Sequence, residues 1–176
     1  MPDPPQLEFG ADPETVVAKS NDLVRGRHNF STIEQRIFVA MVAQLDRDED
    51  TFSLQSVPIR KVSSETNESD LYLRIDNITD RLLDRVIEIR AQDEQGREEQ
   101  FVKYNVFSRC QYDRGSGVVK AKFTEDMRPF LLRLKEKFTL YLITVFLRLR
   151  SKYSTQIYEL LKMRQGLRRY RISVEE

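Results

Sequence analysis

The chain has 176 residues, 40% of them hydrophobic and 32% charged, and carries a net charge of +1 at pH 7. That length buries one substantial core, or two small ones sharing an interface, and the near-neutral balance does not by itself mark a nucleic-acid binder. One cysteine (Cys110) and one histidine (His28) exclude a disulfide or a Cys/His zinc cluster, and leave few ways to build a nucleophile–histidine pair. The opening MPDPPQLEFGADP is Pro-rich and lacks the pattern of a secretory leader, so residues 1–14 are expected to form a flexible tail on a cytoplasmic protein.

In chain order, Asp12, Pro13 and Glu14 suggest a short helix carrying Val16, Val17 and Leu23, ending by Arg25-Gly26-Arg27. Ser31 and Glu34 have capping-box spacing, and Ile33, Ile37, Phe38, Met41, Val42 and Leu45 then recur at three and four, which predicts an amphipathic helix. After the acidic turn Asp46–Asp50, Phe52 and Leu54 alternate in a short strand closed by Pro58. A brief helical turn over 59–66 precedes a longer helix from Asp70, whose stripe is Leu71, Ile75, Ile78, Leu82 and Val86; this is helix–turn–helix spacing. The period then changes to two: Ile87, Ile89 and Ala91; a long strand through Val102, Tyr104, Val106, Ser108, Cys110 and Tyr112; a Gly-rich turn at Asp113–Gly117; and Val119, Ala121 and Phe123. A helix from Met127 to Leu134 follows. The run Thr139 to Leu149 is apolar on all sides of a helical wheel, predicting a buried central helix against which the Leu71–Leu82 stripe packs. Ser154 offers the cap of a last helix with Tyr153, Ile157, Leu160 and Leu161 at helical spacing, and Gly166 stops it. The order predicts an α+β chain: a winged-helix domain with extra helices at both ends and a three-stranded antiparallel wing sheet.

Four segments in this order resemble the N-terminal winged-helix domain of iteron-binding plasmid replication initiators: Lys19–Leu23, Glu34–Ile37, Phe138–Tyr141 and Arg150–Lys162. The likeness runs from Val17 to Val174. It implies one winged-helix domain over residues 15–176. The sequence departs from the family pattern at Ile172–Glu176, where the linker to the family's second winged helix is expected, as an excised domain or a short member would. It further implies double-stranded origin (iteron) DNA and a second copy of the chain as partners, with host replication initiator and helicase proteins as further ones, and a role in replication initiation and copy control.

With that resemblance in hand, Arg74, Arg81 and Arg85 form the basic flank of the helix from Asp70, opposite Asp76, Asp80 and Asp84. The acids argue against deep insertion into a groove and for backbone contacts. The alternative is a solvated surface of Asp–Arg pairs. Arg148, Arg150, Lys152, Arg164, Arg168 and Arg169, in a stretch opposed only by Glu159, are the stronger phosphate candidates. Phe101 and Phe107 fall on the otherwise polar face of the long strand, which predicts a dimer contact or cover by the chain's own helices. His28 is expected as a turn residue and Cys110 as a small core residue. Asp46–Asp50 lacks the glycine and late glutamate of a calcium loop, so no metal or cofactor is assigned. The expected function is DNA binding and dimerisation without catalysis. The rivals are a purely structural dimerisation domain and a metal-dependent nuclease using Asp46–Asp50.

Overall fold

The computed structural model describes residues 14–63 and 68–166. It begins with β1 (Val16–Ser20) and α1 (Asn21–Arg25), and then the buried α2 (Thr32–Val42). The capping box of α2 is complete: the Ser31 backbone N–H donates to Glu34 Oε2 at 2.9 Å, and the Glu34 N–H to Ser31 Oγ at 3.4 Å. Every residue from Glu34 to Val42 is buried, so α2 is the core helix of the domain.

Next come β2 (Gln55–Pro58), α3 (Ile59–Val62), α4 (Glu68–Asp84), β3 (Val86–Gln92), β4 (Glu98–Asn105), β5 (Phe107–Asp113) and β6 (Val118–Phe123). Helices α2, α3 and α4 with the antiparallel sheet β2–β6–β5 make the winged-helix core, and the turn between β5 and β6 is its wing. The expected sheet therefore has different members. The long strand predicted through Val102–Tyr112 breaks at Val106, whose N–H donates to the Arg85 carbonyl (3.2 Å) and whose carbonyl accepts from the Thr124 N–H (3.0 Å). Strand β3 pairs with β4 in a separate ribbon. The third place in the sheet goes to β2, where Val57 opposite Val119 faces inward.

A 3-10 turn (Glu125–Met127), α5 (Arg128–Leu131), β7 (Phe138–Leu142), α6 (Ile143–Leu147) and α7 (Lys152–Met163) complete the chain. Two expected helices are strands here. Val16–Ser20 and Phe138–Leu142 pair antiparallel, Val17 opposite Tyr141, and along β7 Thr139 and Tyr141 are buried while Leu140 and Leu142 are exposed. That is strand periodicity; the uniformly apolar run hid it. The expected central helix thus splits into β7 and the single-turn α6, and α4 lies against β5 instead. Ile75, Ile78 and Leu82 are buried as expected; the Leu71 side chain lies outside the described ones, as do residues 1–13 of the expected tail. Phe38 meets Phe30, Phe107 and Phe123 edge-on, and Phe107 stacks on Phe123 at 5.0 Å. Phe107 is therefore a core residue, a correction to its expected outward position: the break at Val106 lets Phe107 turn inward, and the register shift between Phe107 and Arg109 leaves Cys110 and Tyr112 on the inner face as expected.

Candidate nucleic-acid interface

Helix α4 follows the short α3 in the position that a helix–turn–helix gives its recognition helix. Arg74 and Arg81 are exposed on it, but so are Asp76, Asp80 and Asp84. The wing is tied to this helix, since Arg114 Nη2 lies 3.4 Å from Asp76 Oδ2. Arg85 does not join the exposed pair. Its guanidinium donates twice to the buried Glu34 carboxylate, Nε to Oε2 at 2.7 Å and Nη2 to Oε1 at 3.0 Å. Arg85 is thus a structural clamp between the end of α4 and the start of α2, its guanidinium held by Glu34 rather than presented beside Arg74 and Arg81.

The structure brings Arg148, Arg150 and Lys152 together at the joint between α6 and α7. Arg148 is the C-cap of α6 and Lys152 the first residue of α7, whose capping box is Ser151 with Ser154; the N-cap is thus Ser151, one turn earlier than expected. This joint is held from below. Buried Arg36 donates from Nη1 to the Val62 carbonyl at 3.1 Å and from Nη2 to the Leu149 carbonyl at 2.7 Å, fixing the joint to the end of α3. Arg148 and Arg150 are exposed, and the Lys152 ammonium sits 5.3 Å from the Tyr153 ring centre. Arg164 caps the other end of α7, about 18 Å from the joint along the helix at ~1.5 Å per residue. Arg168 and Arg169 lie outside the described residues.

A family model described as Initiator Replication protein, WH1, matches residues 16–162. The chain belongs to this family. A crystal structure of the Pi initiator protein in complex with iteron DNA is similar over 89% of this chain, with a TM-score of 0.67 and 21% sequence identity. At that identity the likeness speaks for the fold. This chain covers 66% of the Pi initiator chain, just under two thirds of its length. No curated protein sequence matches.

In this initiator WH1 domain the most consequential side chains that the sequence did not reveal lie beneath the candidate surface. Lys19 of β1 and Glu159 of α7 form a buried ion pair, Tyr141 of β7 donates its hydroxyl to the same carboxylate, and Thr155 of α7 bonds to Gln35 of α2. Burial and then the Glu159 charge hold the Tyr141 hydroxyl well above its ordinary pKa, so it stays a donor. Glu159 is the lone acid in a basic stretch, the one hint in the sequence. As a result α7 is inverted: polar Thr155 and Glu159 face inward, whereas Tyr153, Ile157 and Leu161 are exposed. The same junction depresses His28 to about pKa 4, chiefly by burial and then by the charge of Lys19. Cys110 lies on the inner face of β5 opposite Ala121, and burial pushes its thiol up to about 11. Among the described residues no three His, Cys, Asp or Glu side chains gather as metal ligands, and none of the helices is long and apolar enough to cross a membrane. In the acidic turn, Asp50 is paired with Arg133 at 2.8 Å.

Proposed function

We propose that this domain binds the phosphate backbone of duplex origin DNA, as the first winged helix of a plasmid replication initiator, and does no catalysis. The observation that carries the reading is the family match over residues 16–162, laid over a fold like that of an initiator solved on iteron DNA. Helix α4 favours backbone contact over base reading: from Glu68 to Asp84 it holds Glu68, Asp70, Asp76, Asp80 and Asp84 against Arg74 and Arg81, and carboxylates repel a groove lined with phosphates. The joint bearing Arg148, Arg150 and Lys152 supplies cations on a fixed support. Copy control through a homodimer, host replication proteins as further partners, and a cytoplasmic setting without cofactor belong to the same proposal.

Titrating a fluorescent duplex with the full chain across a salt series tests it. Affinity should be in the non-specific range, about 10⁻⁴–10⁻⁶ M at physiological salt, and its logarithm should fall with that of salt at ~0.9 per phosphate contacted. Arg150→Ala with Lys152→Ala should weaken binding to every duplex alike and lower the slope by ~2. Strong selection of one sequence by this domain would defeat the backbone mechanism.

A second reading, a dimerisation module that makes no DNA contact, draws on one feature. Strand β4 pairs only with β3 among the described residues and is exposed along most of its length, which leaves an open edge suited to a second strand. A salt-independent titration would favour it.

A further inference from the structure

We infer that the outer face of the β2–β6–β5 sheet is a second contact surface for the duplex backbone, separate from α4 and from the α6–α7 joint; the inference rests on the DNA-binding reading above. Along β6, Val119, Ala121 and Phe123 are buried, so Lys120 and Lys122 point to the other face. Antiparallel partners share a face. Register therefore places Arg109 of β5 beside Lys122, and Gln111 of β5 and Ser56 of β2 on either side of Lys120. Three cations and two neutral hydrogen-bonding side chains occupy one flat surface.

Most of the charge on this face stands without a paired acid among the described residues. Nearby arginines elsewhere on the domain meet carboxylates, among them Arg90 with Glu88, Arg97 with Asp93, Arg114 with Asp76 and Arg133 with Asp50. Among the described residues no carboxylate pairs with Arg109, Lys120 or Lys122. The Arg109 guanidinium turns instead along its own strand, donating from Nη2 to Gln111 Oε1 at 2.6 Å. One acid, Asp113, shares the sheet at its wing end and feels the Lys120 charge, but its carboxylate is turned chiefly into the wing, accepting the Gly115 N–H at 3.0 Å. Like charges set directly across a strand pair are destabilising, so Arg109 opposite Lys122 weakens the free domain. An anion bridging the two removes that repulsion.

The polyanion indicated is a duplex. Single-stranded nucleic acid is held on aromatic platforms, and this face has none: Phe107, Phe123 and Tyr112 are all paired in register on the inner side with Phe123, Phe107 and Val119. Lysines two apart on one strand are about 6.7 Å apart, and DNA offers one charge per ~1.7 Å of axis, so both ammonium groups find phosphates without a special fit.

The test compares the full chain with its Lys120→Gln/Lys122→Gln variant on one fluorescent duplex at 50 and 200 mM salt. Two lost contacts at a slope of ~0.9 each should make the variant's affinity about 12-fold less sensitive to that salt change, with thermal melting unchanged or raised because a like-charge pair is gone. Arg109→Gln, which keeps both lysines, should give about half that slope change. A native chain that binds and a double variant that matches it in affinity and slope would overturn the sheet contact alone. A native chain that shows no duplex binding at 50 mM salt would remove the DNA-binding reading and this inference together. Loss of binding to phosphatidylserine vesicles with duplex affinity intact would also overturn the inference, in favour of lipid headgroups.

Discussion

Arg85, at the end of α4, holds both oxygens of Glu34, at 2.7 and 3.0 Å, and Glu34 Oε2 also accepts the Ser31 N–H that starts α2. One carboxylate therefore fixes the start of the core helix to the end of the helix in the recognition position. Removing the arginine strands a fully buried carboxylate, and breaking a buried pair from one side costs about 3–5 kcal/mol. Arg85→Ala should lower the urea midpoint accordingly, while the folded protein keeps the native salt dependence of duplex binding. A stable variant with a shallower slope would return Arg85 to the DNA surface.

The junction of β1, β7 and α7 invites a double-mutant cycle. Glu159→Leu leaves the Lys19 ammonium buried without its anion and the Tyr141 hydroxyl without its acceptor, and is expected to cost about 3–5 kcal/mol. Lys19→Met added to it removes the stranded charge, so the pair should recover much of that loss. Additive losses in chemical denaturation would show that the two side chains are not coupled.

Local signals made much of this fold legible. The Ser31–Glu34 box gave α2, the Ile75–Ile78–Leu82 stripe gave α4, and strict alternation around a glycine turn gave β5 and β6. What failed depended on distant partners. Val16–Ser20 becomes a strand because Phe138–Leu142 lies beside it, a pairing across more than a hundred residues that no window of sequence contains. Phe107 turned inward because Val106 is held by Arg85 and Thr124, and α7 presents its apolar side outward because Lys19 claims Glu159. The α6–α7 cations were readable as a charge run. The basic sheet face was equally readable in the Lys120–Lys122 alternation, but the apolar partners drew attention to the other side.

His28 gives the domain an acid sensitivity with a definite sign. Burial lowers its folded pKa from 6.5 to about 4, so between those values the unfolded chain binds a proton that the folded one does not, and stability falls as pH drops through that window. Its Nδ1 sits 3.5 Å from the Phe30 N–H as an acceptor, a role open to the neutral ring only. The ring is half-buried, and its solvent-facing edge softens the penalty, so going from pH 7 to pH 5 should cost about 1–2 kcal/mol. Urea titrations at the two pH values check this. His28→Asn should flatten the difference; an equal difference in both proteins would assign it to carboxylates.

Phe101 and Phe107 should behave oppositely when substituted. Phe107 is in the aromatic core, and Phe107→Ser should destabilise the fold by about 3–5 kcal/mol. Phe101, 58% exposed on the open-edged β4, carries the Lys103 ammonium over its ring, at 5.7 Å. If β4 is the edge through which two copies meet, each Phe101 covers about 100 Å² of its own apolar surface there, about 2 kcal/mol per copy. Phe101→Ser should then leave far-UV circular dichroism and melting unchanged, while weakening self-association by up to about a thousand-fold. Sedimentation velocity across a concentration series reads this directly. An unchanged distribution would clear β4 of the role, and the exposed Ile157 and Leu161 of α7 would become the next surface to substitute.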